Sequence, residues 1–231
     1  MSGEPVSPIN VGVYPDLAEH GGLGPAWRNA ARGAGIDIDI TSPGHSDFFR
    51  LKYATVETPR GAIKLSAVYG ERVFGVKIRV ENDLWASGLT DDLEQAARVA
   101  VAWRDGSTIR ELVEAFPFMK TNRIAQALED GNLREVLWSM HLEDEGYELM
   151  RPVLRAAHDD PRLSGLYPSV THETLARFTV DHRDRENGQI AIYYFPSHYE
   201  VLSSWEENRV HSAATPDEAV RLASSLIPDT Y

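Results

Sequence analysis

Two stretches of the chain, Ile63 to Trp103 and Ala176 to Ile227, follow one plan in which hairpin strands lead into a capped amphipathic helix. Such a unit has an apolar sheet face and an apolar helix stripe that must cover each other, so two of them commit the chain to an α+β architecture. The second helix opens on Thr215-Pro216-Asp217-Glu218. Thr215 suits the N-cap, Pro216 the first helical position, and Glu218 completes a capping box. The first opens on Thr90-Asp91-Asp92, a capping hydroxyl followed by two carboxylates at the positive end of the helix dipole. Laying Leu93 on Ala219 sets Ala96 on Leu222, Ala97 on Ala223, Ala100 on Leu226 and Val101 on Ile227, the i, i+3, i+4, i+7, i+8 stripe that a helix buries on a sheet.

The rest of the chain fits around these units. A short strand is expected near Val11 to Tyr14 and a helix from Leu23 to Ala34, ended by Gly33 and Gly35. Ile36, Ile38 and Ile40 alternate with Asp37 and Asp39, the period of a half-buried strand. Ile63–Val68 and Val73–Val80 form a hairpin through Gly70, which can take a positive φ. A short strand holds Leu84 and Trp85. Helices are expected over Ser107–Phe116 and Asn132–Ala157, the latter divided or kinked at Pro152, with a short turn over Asn122–Leu128 between them. Leu175–Asp181, Ile190–Phe195, Tyr199–Ser204 and Arg209–Ser212 make a four-strand meander. The resulting fold class is α+β, with two mostly antiparallel sheet-plus-helix units flanking a helical middle. The expected segments are 1–106, 107–166 and 167–231, packed as one compact unit.

Composition narrows the function. At 231 residues and 42% hydrophobic the chain can bury one large or two small cores. Twenty-three basic against 35 acidic residues give a formal charge of −12, which repels phosphate backbones and anionic membrane surfaces. With no cysteine there is neither a disulfide nor a thiolate ligand. The amino terminus lacks the basic and apolar regions of a signal peptide, and no stretch approaches the roughly 20 apolar residues of a membrane span. A cytoplasmic, soluble protein is expected, with neither nucleic acid nor membrane as a partner.

No phosphate-binding loop, dinucleotide fingerprint, Gly-x-Ser-x-Gly elbow or His-x-x-x-His pair occurs, so neither cofactor nor metal is expected. Two polar clusters stand at element junctions. His45-Ser46-Asp47 follows a strand and could support proton transfer; the same residues also serve ordinary cap and turn chemistry. Tyr167-Pro168-Ser169-Val170-Thr171-His172-Glu173 reads as a loop between helix and sheet that could line a pocket, or anchor the loop through Tyr167. His45, Asp47, Tyr167 and His172 are the acid/base candidates. His158-Asp159-Asp160-Pro161-Arg162 reads as a helix end, where the dipole accounts for the histidine. The tryptophans read as packing, and Glu143-Asp144-Glu145 as a solvated helix face.

The string Ala86-Ser87-Gly88-Leu89-Thr90-Asp91-Asp92-Leu93, continuing to Ala102-Trp103-Arg104-Asp105-Gly106, joins Ala157-His158-Asp159-Asp160-Pro161-Arg162-Leu163 and Leu166-Tyr167-Pro168 in a wider resemblance. Together with Gly44-His45-Ser46-Asp47, Arg72-Val73-Phe74-Gly75-Val76 and Thr171-His172, these pieces resemble a bacterial family of uncharacterised natural product biosynthesis proteins containing a domain of unknown function. The resemblance runs from about Leu17 to Ile227. Ser169-Val170 departs from it where an aromatic residue is expected, which implies a smaller or wetter pocket. The resemblance implies an accessory or tailoring protein of specialised-metabolite biosynthesis, for modified peptides among other products, and assigns no catalytic residue. Its partner is then a small-molecule or peptide substrate. The alternative is a noncatalytic interaction module whose strand edges dock a partner biosynthetic enzyme, a leader peptide or a second subunit, which would make it a homo-oligomer.

Overall fold

The computed structural model describes residues 10, 12–42, 47–184, 186–207 and 209–229; the side chains of Asp47 and Phe48 lie outside that description. It is α+β and divides into two compact units, Met1–Glu129 and Asp130–Tyr231. The boundary falls inside the helical middle expected over 107–166. Each unit holds one five-stranded antiparallel sheet whose strands lie side by side in chain order.

In the first unit α1 (Pro15–His20), α2 (Leu23–Gly33) and α3 (Asp47–Lys52) precede β1 (Tyr53–Thr58), β2 (Gly61–Ala67), β3 (Phe74–Val80) and β4 (Asp83–Thr90). After α4 (Leu93–Arg104) and α5 (Ile109–Ala115) the chain returns as β5 (Met119–Thr121) beside β4, and α6 (Arg123–Asp130) follows. Along β2 and β3, Ile63, Leu65, Val76 and Ile78 are fully buried and alternate with polar residues. Their faces join Trp27 of α2 and Ala96, Val99 and Trp103 of α4 in one core.

The β2–β3 turn is held from below. The Tyr14 hydroxyl lies 2.7 Å from the Val68 carbonyl, 2.5 Å from that of Glu71 and 2.8 Å from that of Val73, and accepts the Val73 N–H at 3.1 Å. Gly70 has φ +94°, as the hairpin requires. At the far end, the Arg60 guanidinium donates to the Trp103 and Ser107 carbonyls, both at 2.8 Å, and stacks 3.9 Å from the Trp103 ring. The Trp103 carbonyl, in the last turn of α4, also accepts the Gly106 N–H at 3.2 Å, while the Ser107 carbonyl belongs to the loop that leads into α5; a cation suits this negative end of the helix dipole.

In the second unit α7 (Leu133–Glu143), a short 3₁₀ turn (Glu145–Tyr147) and α8 (Arg151–Asp159) precede the meander β6 (Tyr167–Thr171), β7 (Leu175–Thr179), β8 (Gln189–Phe195), β9 (His198–Ser203) and β10 (Val210–Ala213), closed by α9 (Pro216–Ser225). Its core joins Phe178, Ile190, Ile192 and Val201 to Trp138 of α7, Val153, Leu154 and Ala157 of α8, and Ala219 and Ala223 of α9. The Thr215 cap is present, with Glu218 N–H donating to its hydroxyl at 3.2 Å. His158 lies in the last turn of α8, and the Asp160 carboxylate beyond it accepts from Arg162 N–H, Leu163 N–H and the Ser224 hydroxyl.

Several local expectations change. Gly12 and Val13 form a turn before α1 rather than a strand, and Val11 lies outside the described residues. Ile36 to Ile40 is extended and buries Ile38 and Ile40, but outside a ladder; Thr41 alone bridges to Thr55. The cap of α4 is Asp92, whose carboxylate accepts from Glu94 and Gln95 N–H, while Thr90 accepts from Asp92 N–H. Residues 123–130 are helical rather than a turn. Pro152 opens α8 instead of kinking a longer helix, since the first turn has no N–H to lose there. The Tyr167–Glu173 segment is not a loop: its first five residues are the edge strand β6, where Pro168 is tolerated.

The two capped helices share only part of their expected stripe. Leu93 with Ala219 and Ala97 with Ala223 are buried pairs, but Leu222 and Leu226 are half-buried where Ala96 and Ala100 are fully buried, and α9 buries Val220 where α4 has the half-buried Glu94.

Candidate functional site

Pairing register places the polar residues of the first sheet. On the face away from the core, one row crosses all five strands: Thr55, Lys64, Lys77, Ser87, Lys120. The row beside it holds Tyr53, Ser66, Gly75 and Leu89, and the row on the other side Glu57, Ala62, Arg79 and Leu84. Lys64 and Lys77 are directly opposite, about 5 Å apart at the backbone, and Lys77 and Lys120 flank Ser87 two strands apart, about 10 Å. All three lysines are exposed, and among the described residues none forms an ion pair or hydrogen bond. Of these three rows, only the third holds a carboxylate, Glu57 on the edge strand.

A groove of about 450 Å³ lies on this face. Its charged rim is Lys77 and Lys120, its floor includes Gly75, Ser87 and Gly88, and its apolar walls are Leu89 and Phe118. Gly75 makes the depression: a Cβ there would come 3.0 Å from the Ser66 hydroxyl and 3.9 Å from Leu89. Leu89 is 61% exposed.

In two other hollows several of the lining polar groups are already engaged. In the first unit a hollow of about 570 Å³ runs between α1, α2 and the start of α4. There Arg72 binds Asp16 through both nitrogens at 2.6 and 3.1 Å, Asp92 caps α4, and Glu94 pairs with Arg98. In the second unit a hollow of about 600 Å³ lies over Trp138. The Trp138 indole N–H points to the Ser164 and Leu166 carbonyls, both at 3.1 Å, its ring stacks on Phe178 at 5.7 Å and meets the His158 ring edge-on, and Arg134 donates to the Gly165 carbonyl and Glu135.

His45 and Ser46 lie outside the described residues, and Asp47 begins α3 with its side chain undescribed. Tyr167 opens β6 and lies with its ring 5.3 Å from His182. His172, with φ +55°, and Glu173, with φ +59°, turn the chain from β6 into β7. Tyr167 and His172 are thus separated by the length of β6, about 16 Å of extended chain. The neighbour that sequence reasoning missed is His182, whose Nδ1 is 3.6 Å from the Asp181 carboxylate and whose Nε2 is buried without a hydrogen-bond partner among the described residues. His141 was missed too: burial pushes its imidazole below the ordinary value, opposed by a hydrogen bond to the Pro168 carbonyl and by the charge of Asp144. Among the described residues no three His, Asp or Glu side chains gather as a metal site, and no helix is long and apolar enough to cross a membrane.

Comparison with known proteins places the second unit. Residues 132–231, within the second unit, match a family of unknown function, DUF6193. The match names no biosynthetic role. No curated protein and no solved structure matches the chain.

Proposed function

We propose that this chain is an accessory binding protein of specialised-metabolite biosynthesis that holds a small molecule or peptide precursor against the outer face of its first sheet. The observation that carries the binding half of this reading is the groove at Gly75, walled by the exposed Leu89 and the half-buried Phe118 and rimmed by lysines with no partner among the described residues. Such a combination of concave apolar surface and a few convergent polar groups is the usual make-up of a ligand site. The biosynthetic setting rests on the sequence resemblance alone. The reading assigns no chemistry to His45, Asp47, Tyr167 or His172, whose acid/base role is a separate proposal; there, His172→Asn or His45→Asn should leave ligand binding unchanged and abolish any turnover.

The test is native mass spectrometry of the protein purified from its own host, beside Gly75→Val, which fills the groove without changing charge. A small-molecule adduct on the wild type that the variant lacks supports the proposal. An adduct that survives Gly75→Val places the site elsewhere, and a wild type that takes up nothing from host extract removes it. A docking module for a partner enzyme or leader peptide is the second reading, favoured by the short edge strand β10, whose Val210 is 54% exposed. Hydrogen exchange that slows along β10 only when the partner is present would select it.

A further inference from the structure

We infer that the groove takes an amphipathic anion: a small molecule whose carboxylate, phosphate or sulfonate sits over Ser87 between Lys77 and Lys120, and whose apolar body lies on Gly75 against Leu89 and Phe118. This rests on the groove being a binding site, as proposed above, and adds the chemistry of its occupant.

Three observations carry it. First, Lys64 and Lys77 face each other across β2 and β3, an arrangement that costs a sheet stability, and no described carboxylate relieves it. A bound anion would. Second, the chain as a whole is acidic, with a formal charge of −12, so a row of three cations departs from the surface around it and marks a local site for negative charge. Third, the small residues between the lysines leave room where their ammonium groups can converge. Two ammonium groups on flexible stems of about 6 Å can both reach a point above Ser87 from backbones about 10 Å apart. The Ser87 hydroxyl has no partner among the described residues and can donate to the same oxygen atoms.

The walls decide between a simple and an amphipathic anion. Inorganic phosphate would touch the lysines and leave Leu89 and Phe118 in water, whereas a ligand with an apolar body covers both. The floor is a short depression rather than a channel, which suits a small molecule better than a nucleic-acid strand, whose phosphates would also meet the acidic remainder of the surface.

Two fluorescent probes of nearly the same shape test this on the full chain: anilinonaphthalene sulfonate, which is an anion, and phenylnaphthylamine, which is neutral. Both are titrated into the wild type, Gly75→Val, Lys64→Gln and the double variant Lys77→Gln/Lys120→Gln, each checked by its melting transition. The sulfonate should bind the wild type, weaken roughly tenfold or more in the double variant, since charge-assisted contacts are the strong ones, and weaken a few-fold in Lys64→Gln. The neutral probe should be indifferent to the lysines, and Gly75→Val should weaken both. Sulfonate binding that ignores the double variant overturns the anion inference; if Gly75→Val still weakens both probes, the groove stands and only its charge preference falls. Binding of both probes unchanged by Gly75→Val, or no binding by either, removes the groove as well. Should the double variant fail to fold, salt on the wild type decides: sulfonate affinity must fall between low and roughly 0.5 M salt while the neutral probe holds. Inorganic phosphate displacing the sulfonate as well as an aliphatic carboxylate does would show that the apolar walls contribute nothing, and an oligonucleotide displacing it more strongly than either would point to a polyanion instead; both overturn the proposal.

Discussion

The two sheets have the same topology and the same alternation on their covered faces, yet their other faces differ in kind. The first carries Lys64, Lys77 and Lys120 in a single row. The matching rows of the second run Ser169, Arg177, Ala191, Leu202, Val210 and Thr171, Leu175, Tyr193, Glu200, Ser212, where no two like charges meet and Leu175 and Ala191 are only 7% exposed. A five-stranded meander demands apolar residues on the face that meets its helices and leaves the other face to be set by something else. In the second sheet that face is neutral and partly buried. In the first it is charged and exposed, with Lys64 and Lys77 directly opposed.

The comparison can be broken first at the cores. Phe74 and Phe178 are both fully buried, one in each unit, so Phe74→Ala and Phe178→Ala should each cost about 3–5 kcal/mol in denaturant melts. Unequal costs would show that the two cores are not packed alike. Next comes Arg60, which bridges two carbonyls and stacks on Trp103. Arg60→Ala should lose about 2 kcal/mol, because it takes the charged donor from the Ser107 carbonyl, leaves the Trp103 carbonyl only the Gly106 N–H, and removes the cation beside Glu129. Arg60→Lys should recover little, since an ammonium cannot donate in a fork and stack on Trp103 together.

A smaller effect of opposite sign sharpens the contrast between the outer faces. Lys77→Thr should stabilise the chain by roughly 0.2–1 kcal/mol at low salt, by ending the confrontation with Lys64, and the gain should vanish at high salt. A variant that is destabilised at low salt would mean that the row is not repulsive. The smallest expected effect is the pH response of the second unit through His141. Because its folded value lies below the ordinary 6.5, the unfolded chain binds the proton more readily. The contribution of neutral His141 is therefore full above about pH 6.5, the unfolded value, and is lost as pH falls from there through the lower folded value. His141→Gln should flatten the melting temperature between about pH 5 and 7 relative to wild type.

Much of this architecture is legible in the chain. The β2–β3 hairpin is marked by its apolar alternation and by Gly70, and α9 by Thr215, Pro216 and Glu218, because these signals act within a few residues and need no distant partner. The misses have a common cause. Strand β1 offers only Ala54 and Val56 to the core, β5 is three residues long, and β6 contains Pro168; each is a strand because a neighbour pairs with it, not because its own pattern insists. The reverse error, Ile36 to Ile40, alternates well and buries two isoleucines but has no ladder beside it, so alternation there reports a half-covered extended chain. The candidate site was hidden for the same reason. Lys64 and Lys77 alternate with apolar residues in the expected hairpin strands, but Lys120 lies in no expected element and stands 43 positions beyond Lys77.

By itself the sequence determined the α+β class, the two sheet-and-helix regions, the Thr215 cap that starts α9, and the acidic net charge; all of these are local or additive properties. Only the tertiary structure decided that β5 returns beside β4, that three lysines therefore share one row, and that Gly75 opens a groove among them. Register is the physical reason. A slip of one residue would turn Lys77 toward the core and Ile78 toward water, and what forbids it is the burial of Ile63, Leu65, Val76 and Ile78 against helices that lie elsewhere in the chain.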